Sequence, residues 1–432
     1  MKPRIFIGLM NIASQLGDFK NAFEELGCTV SIGVIQKSGN NIIQEKNYDY
    51  VFLPSAPKSL CHIPIPQNKI NHYILATRRL VVNYRRIPSE IIKNHDVFIF
   101  IWSSFDRYFR DYQRLAEMGK KVVVIFCGDD ARWPAGVNQE FALLGKPLLP
   151  YHGKHRSFLG RQIHVNGYNL TLSGLKKHLE AIRQAEKHAH VIFSKREQAQ
   201  LQLRPFYHFT MNVPVKQIPY RTEQRAECPI VVHAPSNPAI KGTQYVMEAF
   251  ERLRSEGIAF QAEIIQNIPN TQALEIYRNS DIVIDQLLIP GGGKLASEAL
   301  AAGCVVLSRM DYQTYDQGLD LSNCPIIDVN PDTIFQVLKE TILNVELRRN
   351  LSKLGRPFVE KNWDTKVFCN RILTILEDKP IPFDFTPRFF RETYKPSLPG
   401  EIELQNTWID YVKDCSWYKA VVPPGERDGL RF

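Results

Sequence analysis

The stretch DIVIDQLLIPGGGKLASEALAAG, Asp281 to Gly303, decides how this chain is read. It opens on Ile282, Val283 and Ile284, β-branched residues suited to a buried strand. Gly291, Gly292 and Gly293 interrupt that pattern. An alanine-rich run follows, alanine being the strongest helix former, and stops at Gly303, the residue type that most often ends a helix. In a parallel sheet such a turn lies beyond the carboxyl end of its strand, where ligands bind. Glycines there let backbone N–H groups come close to an anion, and the helix N-terminus favours a phosphate. Glu298 sits about one and a half turns into the helix. From there its carboxylate can accept two hydrogen bonds from a vicinal diol such as a ribose. The plainer reading also stands: an ordinary loop, with Lys294 and Glu298 as an exposed i,i+4 pair worth about 0.3 kcal/mol.

Upstream, IVVHAPSNPAIKGTQYVMEAF (230–250) repeats the design. A strand leads into a polar loop holding Ser236 and Asn237, and Lys241-Gly242-Thr243 opens a helix. A lysine so placed can neutralise a diphosphate, with Gly242 permitting the turn and Thr243 offering a cap or a phosphate contact. Taken alone, the same tripeptide also reads as a helix start with an exposed lysine. The alternation continues through FQAEIIQ, TQALEIYRNS and CVVLSR, and one or two helices follow over 331–362.

The first half alternates in the same way. RIFIGL, CTVSIGVI, YDYVFLP, HDVFIFIW and KKVVVIFCG read as strands, the last three apolar nearly throughout, as strands covered on both faces are. Helical stretches such as QLGDFKNAFEELG and SSFDRYFRDYQRLAEMG separate them. Residues from about 134 to 165 are expected to form loops. The fold class is therefore α/β, in two Rossmann-like units with right-handed crossovers. The expected divisions are 1–213, a proline- and charge-rich linker over 214–228, a second unit over 229–365, and a C-terminal helix with an aromatic and proline-rich tail over 366–432. The apolar residues of that tail call for a surface to pack on, expected to be the first unit.

Composition agrees. The chain has 432 residues, 44% hydrophobic and 23% charged, as in globular proteins with sizeable cores. No apolar run approaches the ~18 residues needed to span a bilayer. The 8 cysteines form no C-x-x-C pair and several lie in apolar runs, so they read as reduced core residues. A cytoplasmic location is expected. The net charge of +9 calls for an acidic partner, yet no nucleic-acid-binding module is present.

Taken together and in order, HAPSNPAIKGT, YRNSDIVIDQLL and GGGKLASEALAAG resemble the donor domain of GT-B glycosyltransferases, specifically the retaining group-4 branch that builds bacterial surface polysaccharides. The resemblance is strong over about 225–365 and extends to FCGDDARW in the first half. It implies two Rossmann-like domains facing a cleft, a sugar nucleotide linked through UDP or GDP, no metal and no further cofactor. It further implies that Lys241 meets the donor diphosphate, that Glu298 holds the ribose as the second glutamate of an E-x7-E motif, and that Gly293 turns its amide to the phosphates. Ser236, Asn237, Gly242, Gly292 and Lys294 complete the expected donor site. Two positions depart from the family pattern: Pro290 stands where the first glutamate belongs, and Ser236 where an arginine usually does. Lys294 is a candidate to replace that arginine.

In the first half, family members carry a histidine near the reacting carbon. Here VVVIFCGDDARW has none, and Asp129, Asp130 and Arg132 occupy the region. Asp129 is the catalytic candidate on this side, positioning an acceptor hydroxyl or steadying charge on the sugar; Asp130 and Arg132 are acceptor-side candidates. Either aspartate also reads as a cap for the next turn. His62, His72, His95, His152 and His164 are spare candidates. The basic, aromatic-interleaved stretches 77–86 and 151–164 read either as solvated surface or as a face resting on an anionic inner membrane leaflet, where lipid-linked acceptors reside. The expected activity is transfer of a sugar to a glycan or glycolipid acceptor, without metal and with retention. A nucleotide-sugar epimerase and a degenerate, non-catalytic scaffold are the alternatives.

Overall fold

A computed structural model describes residues 2–35, 48–52, 87–145, 154–156, 162–164, 171–221, 223–311, 323–377 and 381–423. In chain order the strands are β1 (Arg4–Leu9), β2 (Thr29–Ile35), β3 (Tyr50–Phe52), β4 (Val97–Ile101), β5 (Lys121–Ile125), a hairpin of β6 (Lys154–Arg156) and β7 (Gln162–His164), β8 (Val191–Ser194) and β9 (Tyr207–His208). The second half adds β10 (Ile230–His233), β11 (Gln261–Ile264), β12 (Ile282–Ile284), β13 (Val305–Ser308) and β14 (Ile326–Asp328). They form two parallel sheets, ordered β3-β2-β1-β4-β5-β8-β9 and β11-β10-β12-β13-β14.

The sequence explains the layering. Every residue of β4 and of β12 is buried, so both faces of each sheet need helices, and parallel neighbours need crossovers that supply them. One face of the first sheet packs Phe98, Phe100 and Val124 against Leu175, Leu179 and Ile182 of helix Leu172–His188, which the Thr171 hydroxyl caps at Gly174 N, 3.3 Å. The other face packs Ile5, Ile7 and Ile99 against Phe19 and Phe23 of helix Gln15–Glu25.

Helix Thr365–Leu376 joins that second cluster through Phe368, Cys369 and Ile372. The C-terminal part of the chain therefore returns to the first sheet. Asp364 starts this helix by accepting from Lys366 N at 2.8 Å and Val367 N at 3.3 Å. Beyond it, Phe390, Tyr394, Ile409, Val412 and Tyr418 enter the first cluster, which gives the tail's apolar residues the surface they call for.

Two expectations change. The 134–165 segment holds helix Pro134–Leu143 and the β6–β7 hairpin instead of loops alone. Pro134 fits the first turn of that helix, and Val137 and Phe141, four apart, pack on Leu288 and Ile289 of the second half. The helix expected over 103–119 covers only Asp111–Glu117. Ahead of it, Asp111 accepts from Ser104 Oγ at 2.8 Å and Asp106 N at 2.6 Å, bonds that hold the preceding chain in turns.

The proline- and charge-rich connection is docked, not free. Buried Asp281 accepts from Arg221 Nη2 at 3.2 Å, Arg225 N at 3.1 Å and Arg225 Nη1 at 2.9 Å. Residues 77–86, and His62, His72 and His152, lie outside the described residues. His95 is buried, its Nδ1 2.8 Å from Ile91 O. Among the described residues no helix is long and apolar enough to cross a membrane.

Candidate functional site

The order of the second sheet sets the place. From β10 the chain moves outward to β11, then returns past β10 to β12. The loops leaving β10 and β12 thus diverge and leave a crevice at the carboxyl edge, the usual ligand site of such sheets. Ala234–Asn237 and Asp285–Gly293 are those loops.

The glycine turn is braced from beneath. Gly291 N donates to Arg309 O at 2.9 Å, and Gln286 Nε2 donates to Ile289 O at 3.0 Å and also to Gly291 O. Gly291 has φ +83, and a Cβ there would collide with the Glu197 carboxyl group of the first half, its carbon only 2.9 Å away. At Gly293 a Cβ would stand 3.0 Å from Asp285 Oδ2 and 3.1 Å from Lys241 Nζ. Side chains are excluded from both positions because other groups already approach the backbone.

Lys241 is not waiting in solvent. Its Nζ donates to Asp285 Oδ1 at 2.6 Å and to Gln286 Oε1 at 2.7 Å. Asp285 is fully buried, and its other oxygen accepts from Gly293 N at 2.7 Å. A carboxylate of the protein therefore occupies the helix N-terminus that would favour an anionic ligand. Asn237 caps the short helix Pro238–Lys241 through Ile240 N, 3.5 Å, and Gly242 (φ +78) turns the chain into helix Thr243–Ser255. Ser236 is exposed in the loop. The Thr243 hydroxyl pairs with His233 Nε2 at 2.9 Å.

Glu298 is 5% exposed, and its Oε1 accepts from Asn270 Nδ2 at 3.0 Å. Burial raises its pKa, against the opposing pull of Lys294 and the Asn270 hydrogen bond. Lys294 Nζ lies 4.0 Å from Glu298 but donates to Asp18 Oδ2 and Ala13 O, each at 2.6 Å, so it ties the second half to the loop after β1. Burial likewise raises the pKa of Asp18, opposed by Lys294.

On the first sheet, Asp130 closes the turn after β5 by accepting from Cys127 N and Gly128 N at 3.0 and 2.7 Å. Burial pushes its pKa up to about 6 despite those bonds. Asp129 pairs with Arg132 Nη1 at 2.8 Å, and its carbonyl lies 2.9 Å from His178 Nε2. Beyond β8, Lys195 and Glu197 reach the glycine turn: Lys195 Nζ is 3.5 Å from Gly292 O and 3.8 Å from Glu197 Oε1. Lys195, Glu197, His208, Gly291 and Gly292 line a cavity of about 30 Å³ between the halves.

The structure thus gathers Lys241, Gly292, Gly293, Lys294 and Glu298 around one turn, and sets Asp129, Asp130 and Arg132 in the turn after β5. Asp285, Gln286, Asn270, Lys195 and Asp18 escaped the sequence reading. Asp285 and Gln286 alone had a legible signal, being the first polar residues after an apolar strand. Among the described residues no group of His, Cys, Asp or Glu side chains is placed to hold a metal.

No protein-family model and no curated protein matches the chain. Solved structures do. Sucrose-phosphate synthase from Thermosynechococcus elongatus matches with a TM-score of 0.54 at 13% identity, over 88% of this chain and 99% of that one. Anabaena HepE in complex with UDP and glucose matches with a TM-score of 0.50 at 9% identity, over 87% of this chain and 100% of that one. At such identities the likeness establishes architecture, and with two parallel sheets meeting at their carboxyl edges the chain has the GT-B fold.

Proposed function

We propose that this protein is a glycosyltransferase that moves a sugar from a nucleotide donor, linked through UDP or GDP, to a glycan or lipid-linked acceptor. The observation that carries this reading is the convergence of Lys241, the glycine turn and buried Glu298 at the switch point of the second sheet. These are the three things a sugar nucleotide asks for: a cation, backbone amides for its phosphates, and an acceptor for a ribose diol. That HepE of the same fold is recorded with UDP and glucose supports it.

In this reading the bond between the anomeric carbon and the diphosphate oxygen breaks with its electron pair passing to that oxygen. The acceptor hydroxyl bonds to the carbon, on the same face, and its proton leaves with the diphosphate. Lys241 and Gly293 N exchange Asp285 for the diphosphate, and Lys241 holds its growing charge; fixed cations in a water-poor cleft supply this stabilisation without a metal. Asp129 orients the acceptor hydroxyl from the first half. Residues 1–213 would serve the acceptor and 229–365 the donor. A lipid-linked acceptor would bring the protein to an anionic membrane face, which liposome flotation tests.

The test is isothermal titration with UDP, GDP and their sugars, followed by product analysis with and without added acceptor. The expected result is micromolar binding that Glu298→Ala weakens, and sugar transfer when an acceptor is added. No binding of any nucleotide sugar overturns the proposal, and conversion of the sugar itself with release of free UDP reassigns it to epimerisation.

A further inference from the structure

Three lysines surround the glycine turn, and they are not equally engaged. Lys241 and Lys294 each hold a carboxylate at 2.6 Å, a strong charge-assisted bond. Lys195, at 7% exposure, is more deeply buried than either, yet its two partners stand at 3.5 and 3.8 Å, beyond ordinary hydrogen-bond length. A buried ammonium without close acceptors is costly unless an anion completes its shell. Burial lowers the Lys195 pKa, with Glu197 opposing and Arg132 and Lys241 adding to the fall.

The cavity beside it shows the same shortage. His208 lines it with a ring nitrogen, Nδ1, that has no partner. Burial together with Lys195, Arg196 and Arg371 holds that imidazole near pKa 3, so it is neutral at ordinary pH and contributes no charge. The cations lining this cavity from the first half are Lys195 and Arg196, with Glu197 as the opposing carboxylate, and of these Lys195 is the one that reaches Gly292 O, at 3.5 Å. Ser236, on the opposite loop, contributes none.

We infer that Lys195 of the first half is the second cation for the donor's diphosphate, reaching across the cleft to a group otherwise held by the second half. This rests on the proposed function and adds to it: the diphosphate is clamped between Lys241 and Lys195, so its charge draws the two halves together. The chemistry recognised is that of a nucleoside diphosphate, not of the base or the sugar.

The experiment compares binding of UDP, GDP and the corresponding nucleosides to the full chain by isothermal titration, in wild type, Lys195→Met, Lys195→Gln and Lys195→Arg. Loss of one charge-assisted bond lowers diphosphate affinity about tenfold. Both neutral variants are expected to show that loss with nucleoside affinity unchanged, and Lys195→Arg to recover most of it. Near-UV circular dichroism checks that each variant keeps its packing. If one neutral variant misfolds, the other, together with a weaker salt dependence of binding than wild type shows, decides. Unchanged diphosphate affinity in a folded neutral variant overturns the inference and leaves the proposed function standing. Failure of wild type to bind any nucleoside diphosphate overturns both.

Discussion

Removing Lys241 should damage stability before it damages binding, because the acid it neutralises is buried. Asp285 is fully buried and holds Lys241 at 2.6 Å. Breaking such a pair from one side typically costs about 3–5 kcal/mol, since the remaining charge is left uncompensated. Here Asp285 keeps its bond from Gly293 N at 2.7 Å, at a helix N-terminus worth about 0.5 kcal/mol to a carboxylate, so Lys241→Met falls at the lower end, about 3 kcal/mol. With a urea slope of about 3 kcal/mol/M, this lowers the unfolding midpoint by about 1 M. Adding Asp285→Asn removes the orphaned charge while keeping an acceptor for Gly293. The double variant should regain about 1 kcal/mol, leaving about 2 kcal/mol for the two hydrogen bonds lost with Lys241, to Asp285 and Gln286. It should nevertheless bind no nucleotide sugar, which separates the two roles of the lysine. Urea midpoints and titrations on the four proteins form a double-mutant cycle. A Lys241→Met midpoint equal to wild type, or no recovery in the double variant, refutes the reasoning.

Three further outcomes are expected. Asp111 and Asp130, each lifted from 3.8 to about 6 by burial, keep protons that the unfolded chain has released, so stability falls as pH rises between about 4 and 6; Asp111→Asn and Asp130→Asn should each flatten that dependence in urea titrations at pH 4.5 and 7. Gly291→Ala combines a left-handed φ with a clash against Glu197 and should destabilise by about 2–4 kcal/mol; pairing it with Glu197→Ala should recover the clash but leave about 1 kcal/mol of backbone cost, read from thermal unfolding. Lys294→Met cuts the tie to Asp18 and Ala13, and small-angle scattering should show the halves sampling more open arrangements; an unchanged radius of gyration counts against that role.

The local rules were legible in the chain because each acts over a few residues. Buried runs such as VFIFI and KVVVI gave parallel strands, Gly303 ended its helix, and three glycines after an apolar strand marked a turn at the carboxyl edge of the second sheet. They missed helix Pro134–Leu143, whose apolar residues are too sparse to show a face until Leu288 and Ile289 of the other half cover it. Pairing was beyond them. Asp285 lies 44 residues from Lys241, Gly292 lies 97 from Lys195, and Asp18 lies 276 from Lys294. Hydrophobic spacing is imposed by the period of one element, whereas the partner of a charge is set by which elements the sheets bring to the same edge. The sequence by itself determined two α/β units and the edge at which to look. Only the tertiary structure decided which lysine is held by an acid, which joins the two halves, and which faces the cleft without a close partner.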